Sequence, residues 1–186
     1  MNEQYRRWTQ ALRVPLGFVL AAAFWLLCRP SPSTILWGGG IALAGVGLRF
    51  WAAGHIEKSR VLTTSGPYAF SRNPLYLGSL IIGFGFGVVG GTMTIPVLFA
   101  VYFFVIYWPV MKQEEQELRS AFKEDFERYA RQVPLLMPRL DRLPRQVAGG
   151  ATRFELARAI RNREYNAILG YIGMLLMVYV KYRRGW

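Results

Sequence analysis

Two short stretches hold most of the side chains with chemistry to offer. The first, LTTSGPYAFSRNPLYLGS over residues 62–79, carries Tyr68, Phe70, Arg72 and Tyr76 between two prolines. Ser65-Gly66-Pro67-Tyr68 reads as a turn, and Arg72-Asn73-Pro74 as a second turn with Pro74 opening a helix. A helix that starts there presents unpaired backbone N–H groups and the positive end of its dipole. Arg72 adds a fixed positive charge, so this corner suits a carboxylate or a phosphate. The rings of Tyr68, Phe70 and Tyr76 can hold a flat heterocycle. The second stretch is MKQEEQELRSAFKEDFERYARQV over residues 111–133, where Leu118, Phe122, Phe126, Tyr129 and Val133 recur every three or four positions. That spacing predicts an amphipathic helix, ended by Pro134 and Pro138. Extending its apolar stripe back one turn reaches Glu114 and Glu115, where the pattern asks for apolar side chains. Such carboxylates have a partner or a function. A Glu115–Arg119 pair on the helix surface is the plain alternative. Either glutamate can accept from two adjacent hydroxyls or face a cation. A ligand with a carboxylate, a heterocycle, a vicinal diol and a sulfonium satisfies every one of these groups, and S-adenosylmethionine is such a ligand.

The elements that must position these residues are apolar helices. The chain is 53% hydrophobic and 15% aromatic, well beyond a typical soluble domain. Apolar runs fall at about 12–28, 34–54, 76–92, 93–111 and 165–180, each near the length that crosses a bilayer's hydrocarbon. The expected fold is all-α: a polytopic membrane helix bundle of about five transmembrane helices, with a cytoplasmic amphipathic helix after the fourth. Leu27-Cys28-Arg29-Pro30 lacks a small-x-small cleavage site, so the first run reads as a retained helix. Small residues of the second run (Gly38, Gly39, Gly40, Ala42, Ala44, Gly45, Gly47) predict close helix packing. Arg49, late in that run, is expected to snorkel to the basic side. GFGFGVVGG over 83–91 resembles a nucleotide loop only superficially, because it lies within an apolar run. Gly83, Gly87 and Gly91 read as packing positions, and Gly90-Gly91 as a hairpin turn.

The formal charge of +12 is distributed, not clustered for nucleic acid. Most lysines and arginines lie in the N-terminus, the 55–75 loop and 112–164, which share one side if every run crosses. That side is expected to be the cytoplasm, with the surplus charge meeting anionic lipid headgroups. Five crossings would leave Lys181, Arg183 and Arg184 outside, so the last run either strains this rule or lies in the interface. One cysteine and one histidine offer no disulfide and no metal cluster. The arginine-rich 139–164 segment contains Gly149-Gly150 and Thr152-x-x-Glu155, which reads as a capping box opening a short surface helix. No catalytic arrangement is legible in that segment.

The pattern Glu57-Lys58, Leu62-x-Thr64-Ser65-Gly66-x-Tyr68, Arg72-Asn73-Pro74-x-Tyr76-x-Gly78, then Glu114-Glu115-x-x-Leu118 through Val133-Pro134 resembles the isoprenylcysteine carboxyl methyltransferases. It is also similar to the related phospholipid methyltransferases. The resemblance covers about residues 55–138, within a single membrane-embedded domain over 1–186, leaving 139–186 as a basic surface segment plus a last helix. It implies an integral-membrane enzyme that uses S-adenosylmethionine, releases S-adenosylhomocysteine and methylates a lipophilic acceptor from the cytoplasmic side. Carried over by position, the cofactor contacts are His55, Arg60, Val61, Leu62, Thr63, Tyr68, Asn73, Pro74, Leu75, Tyr76 and Glu114, with Arg72 added for its charge. The family more often has His where this chain has Asn73, whose amide still offers a donor and an acceptor. The prenylcysteine enzymes carry an Arg about one turn before the Glu pair. Here Lys112 is the only cation in that position, which points away from prenylcysteine as the acceptor. Lys112 and Glu115 are the candidate catalytic residues, with His55 a second candidate base. Trp51, Tyr107 and Trp108 are expected to mark lateral entry of the acceptor. The membrane sterol reductases share an Arg-x-Pro-x-Tyr-x-Gly signature and use NADPH, but follow the glycine with an acidic or bulky polar pair. Here Gly78 leads into Ser79-Leu80. A scaffold without enzymatic activity is a third reading, and it leaves the Arg-Asn-Pro and Glu-Glu motifs unexplained.

Overall fold

The computed structural model describes residues 3–57, 61–138 and 152–185. Among them the chain is all-helical. It runs α1 (Glu3–Leu27), α2 (Pro32–His55), a short 3-10 turn (Gly66–Ala69), α3 (Pro74–Val89), α4 (Thr94–Gln132), α5 (Leu156–Arg161) and α6 (Tyr165–Arg184). Every expected apolar run is helical. Two helices, α2 and α4, are long and apolar enough to cross a membrane, while α3 and the apolar part of α1 (Pro15–Leu27) are shorter. The chain forms two compact units, Met1–Leu43 with Leu80–Gln113 and Tyr171–Trp186, and Ala44–Ser79 with Glu114–Gly170. The division passes through α2, α3, α4 and α6, so each of these helices contributes to both.

The first unit is held by apolar packing. Phe24, Cys28, Phe86, Val89, Ile95 and Val178 form its buried centre. Ser31 caps α2 reciprocally with Thr34: the Thr34 N–H donates to Ser31 Oγ (3.2 Å) and the Ser31 N–H to Thr34 Oγ1 (2.8 Å). Pro32 then occupies the first helical position, where a missing N–H does no harm. Gly38 and Gly85 let α2 and α3 touch backbone to backbone. A Cβ on Gly85 would lie 2.4 Å from the Ala42 nitrogen, and one on Gly38 would lie 2.6 Å from the Gly85 carbonyl. Gly83 likewise leaves space for the Phe99 ring, and Gly90-Gly91 forms the expected turn, with the Arg29 N–H donating to the Gly90 carbonyl. The turn requires Gly91 at φ +67°. Outward-facing large apolar side chains are abundant: Phe18, Leu26, Leu36, Trp37 and Met93 are all at least 70% exposed. A surface of this kind is unfavourable in water and natural against lipid. Lys181 is buried, with its ammonium donating to the Trp25 carbonyl and lying over the Trp25 ring.

The second unit departs from the sequence expectations in three places. Arg49 does not snorkel outward. Its guanidinium grips Glu164 with two bonds (3.0 and 2.8 Å) and reaches Ser79 Oγ (2.6 Å) and the Leu75 carbonyl (3.3 Å). A buried carboxylate 115 residues away in sequence holds it inside, since Glu164 would otherwise be an unpaired buried charge. The helix expected over 111–133 is the continuation of α4 and is interrupted at Lys123, whose φ of 43° and ψ of −115° are not helical. Such a conformation costs on the order of 1–3 kcal/mol. Burial of Phe126, Tyr129 and Val133 against Leu62, just past the break, offsets it. Lastly, the capping box at Thr152 and Glu155 does not form. Glu155 precedes α5 without a side-chain cap, and the Thr152 hydroxyl lies 3.1 Å from Ser65 Oγ instead.

Candidate functional site

The loop between α2 and α3 is fixed by residues that follow α4. The Ser71 hydroxyl donates to the Leu136 carbonyl (2.8 Å), the Arg72 N–H to the Pro134 carbonyl (2.9 Å) and Asn73 Nδ2 to the Leu135 carbonyl (3.0 Å). The Tyr129 hydroxyl donates to the Tyr68 carbonyl (2.7 Å). Pro134 and its neighbours therefore leave the helix for a reason beyond stopping it. They present three consecutive carbonyls to a loop that has no ladder of its own. The Asn73 amide donor is engaged in this clamp, as is the Asn73 N–H, which donates to Ser71 Oγ (3.2 Å).

Between the loop and the helix lies a cleft of about 80 Å³, lined by Ile56, Glu57, Val61, Leu62, Thr63, Tyr68, Arg72, Leu118, Phe122 and Tyr129. Its walls are mainly apolar. Three polar atoms of lining residues are nonetheless buried without a hydrogen-bond partner among the described residues: Thr63 Oγ1, the Tyr68 hydroxyl and Arg72 Nε. An unsatisfied buried donor costs about 1–3 kcal/mol, so three in one cleft call for a ligand or ordered water. Burial holds the Tyr68 hydroxyl protonated, raising its pKa well above the ordinary tyrosine value, with Tyr129, Glu114 and Glu164 adding to the effect. Tyr68 is thus a neutral hydrogen-bond donor at any physiological pH.

The two glutamates divide their work. Glu115 is bonded by Arg72 Nη1 at 2.7 Å, each side chain 12% exposed, and approached by Arg119 at 3.8 Å. Glu115 thus has the expected Arg119 as one partner and Arg72 as a second, and the largely covered Arg72 pair is the tighter. Glu114 accepts from the Tyr76 hydroxyl at 2.9 Å. Of the residues expected to contact a cofactor, Val61, Leu62, Thr63, Tyr68 and Arg72 line the cleft, whereas Asn73, Pro74, Leu75, Tyr76, Glu114 and His55 do not line it. His55 is buried, with Nδ1 donating to the Trp51 carbonyl (2.9 Å). Its ring lies beside Phe154 and against Gly66, where a Cβ would meet Nε2 at 2.5 Å. Arg60 falls outside the described residues. Trp51 is exposed in this second unit. In the first unit, Tyr107 stacks on Phe103 (5.2 Å between ring centres) and the Lys112 ammonium lies over the exposed Trp108 ring.

Residues that sequence reasoning did not place here are Ile56, Glu57, Leu118, Phe122 and Tyr129. Glu57 belongs to the recognisable motif and was legible on that ground. Leu118, Phe122 and Tyr129 read as a core stripe, and nothing in their spacing distinguishes a wall from a core.

Residues 37–125 match the phospholipid methyltransferase family. Over these residues, just under half of the chain, the sequence is similar to that family. The family region holds the loop, the start of α3, both glutamates and most of the cleft, and ends before Phe126 and Tyr129. The chain is similar to the cobalt-zinc-cadmium resistance protein CzcN of Cupriavidus metallidurans, 38% identical over 136 residues, covering 69% of this chain and 62% of that protein. It is also similar to the nickel-cobalt-cadmium resistance protein NccN of Alcaligenes xylosoxydans xylosoxydans, 37% identical over 54% of this chain and 47% of that one. The protein-S-isoprenylcysteine O-methyltransferase of Schizosaccharomyces pombe is 30% identical over 51% of this chain and 40% of its own. The chain thus spans under two thirds of each of these relatives. No solved structure matches it significantly.

Proposed function

We propose that this protein is an integral-membrane methyltransferase that takes a methyl group from S-adenosylmethionine and gives it to a lipophilic acceptor resident in the membrane. The observation that carries the reading is the cleft. Thr63, Tyr68 and Arg72 line it within the family region, and each carries a buried polar atom (Oγ1, the hydroxyl and Nε) unpartnered among the described residues. These groups fit such a donor. Arg72 Nε can only donate, and together with the two hydroxyls it suits the electron-rich atoms of the ligand. Glu57, the carboxylate on the wall, takes the part expected of Glu114 and meets the ligand's hydroxyls or its cationic centre. A cavity of about 80 Å³ is smaller than the several hundred Å³ typical of ligand pockets, so it would seat one end of the donor.

When bound, S-adenosylmethionine supplies a methyl group made electrophilic by its sulfonium. The residues of the chain bind, orient and exclude water. Arg72 is aimed by Glu115, and Glu115 acts here as its positioning partner. Tyr129 and the 134–136 carbonyls fix the loop that carries Tyr68 and Arg72, which converts an encounter into an aligned pair of reactants. The acceptor approaches from the lipid, and the exposed Trp51 of one unit and Trp108 of the other are each expected to lie against it. An ionised carboxylate acceptor needs no base, whereas an amine must first lose a proton. The cofactor side faces the cytoplasm and anionic headgroups, as the basic loops favour. Methylation of a membrane component is how this reading would connect to the resistance named for two of the relatives.

Detergent-purified protein tested by thermal shift should be stabilised by a large excess of S-adenosylhomocysteine and not by NADPH. The reverse pattern would replace this reading with a reductase. Labelled-methyl transfer into a total lipid extract, followed by mass identification, then names the acceptor.

A further inference from the structure

The basic segment that follows the family region holds a set of contacts that its sequence did not suggest. The C-terminal end of α2 leaves its last carbonyls without intrahelical partners, as every helix does. Here they are met from 152–164. Asn162 Nδ2 donates to the Ala53 carbonyl (2.9 Å), the Glu155 N–H to the Gly54 carbonyl (3.0 Å), and Arg158 Nη1 to the carbonyls of Gly54 (3.2 Å) and His55 (3.3 Å). Arg158 Nη1 also bonds the Arg153 carbonyl (3.1 Å), which ties the segment to itself. A guanidinium at a helix C-terminus is favoured by the dipole as well as by the bonds. Its other nitrogen, Nη2, lies 3.1 Å from Glu155 and 3.9 Å from Glu57. Ser65 Oγ, at the far end of the loop, donates to the Thr152 carbonyl at 2.7 Å. Phe154 packs against Gly54, where a Cβ would meet its ring at 2.2 Å.

These contacts converge on one place. Ile56 and Glu57, the first two residues after α2, are cleft wall, and Val61 to Thr63 follow. Among its described residues, 56–57 and 61–63, the wall has no hydrogen-bonded ladder of its own, so its position depends on how it is held from outside. Arg158 holds the first end through two backbone carbonyls and its only acidic lining residue through charge, and its side chain is 13% exposed.

We infer that Arg158 is a positioning residue for the methyl-donor cleft: it caps α2 and sets Glu57, so that donor binding depends on a segment outside the family region. A lysine cannot reproduce this, because one ammonium cannot span the two carbonyls and Glu57 as a planar fork does. The inference rests on the donor reading above, and two measurements separate the two. The first is S-adenosylhomocysteine affinity by calorimetry on the full chain in detergent, for the wild type, Arg158→Lys and Arg158→Ala. Loss of charge-assisted bonds should weaken binding about tenfold in Arg158→Ala, with partial rescue in Arg158→Lys. In turnover, the KM for the donor should rise while kcat holds. The second is amide hydrogen exchange without ligand, in which residues 52–66 should exchange faster in both variants while 74–89 stay as protected as in the wild type. Unchanged exchange over 52–66 overturns the clamp whatever the ligand does. Unchanged affinity with faster exchange leaves Arg158 a structural cap and overturns its role in binding. A wild type that does not bind S-adenosylhomocysteine overturns the donor reading, and with it the positioning role.

Discussion

The two compact units use opposite means to the same end. The first packs helices through small residues and apolar rings, with Gly38 and Gly85 bringing backbones into contact. The second is bound by polar side chains reaching backbone carbonyls and one another: Arg49 to Glu164, Arg72 to Glu115, Asn73 to Leu135, Arg158 to Gly54. The difference lies in what each must hold. Helices already satisfy their own backbone, so shape is enough to join them. The 56–57, 61–73 and 133–138 stretches are not α-helix, and each buried carbonyl or N–H there needs a named partner. Chemistry collects in the second kind of region, where a few polar atoms can be left over for a ligand.

That contrast can be broken at its strongest point first. Arg49→Ala leaves the buried Glu164 carboxylate without its counter-charge and should destabilise the protein by about 3–5 kcal/mol, read from equilibrium unfolding in mixed detergent. Next in size, Gly85→Val forces a side chain against the Ala42 backbone and should cost about 1–3 kcal/mol, while the folded fraction keeps its S-adenosylhomocysteine affinity. A loss of affinity there would show that the two units are not energetically separable. Tyr68→Phe sharpens the comparison from the other side. Its hydroxyl has no partner among the described residues, so stability should hold or rise by about 1 kcal/mol while ligand affinity falls about tenfold. A drop in stability equal to a normal lost hydrogen bond would mean the hydroxyl serves the fold and not the ligand.

The smallest effect is one of pH. The fold holds Tyr68 protonated, with its pKa raised, whereas the unfolded chain titrates near 10.0. Below that value the group contributes no pH dependence. Above it the unfolded state loses the proton more readily, so stability should fall with rising pH, by at most about 1.4 kcal/mol per unit for one group. Tyr68→Phe should remove that component of the alkaline slope and leave the rest.

Much of this was legible in the amino-acid order. Helix positions follow from apolar runs and from Ser-Pro and Asn-Pro starts, and the two motifs that form the cleft announce themselves by residue types that simple linkers do not need. Local patterns could not say which way a side chain turns once helices meet. Arg49 read as a residue bound for the membrane surface because its partner, Glu164, is distant in the chain and belongs to no motif. Leu118, Phe122 and Tyr129 read as core because a cleft wall and a core have the same helical period. Glu114 and Glu115 were singled out together, yet one is engaged by Tyr76 and the other by Arg72, while Glu57 is the carboxylate on the cleft. Composition and spacing by themselves determined an all-helical chain with a chemically loaded loop and an acidic pair where a long apolar helix turns polar. Only the tertiary structure decided which polar atoms pair off and which are left without a partner among the described residues, because pairing is a matter of distance in space, and the partners here are 38 to 115 residues apart in sequence.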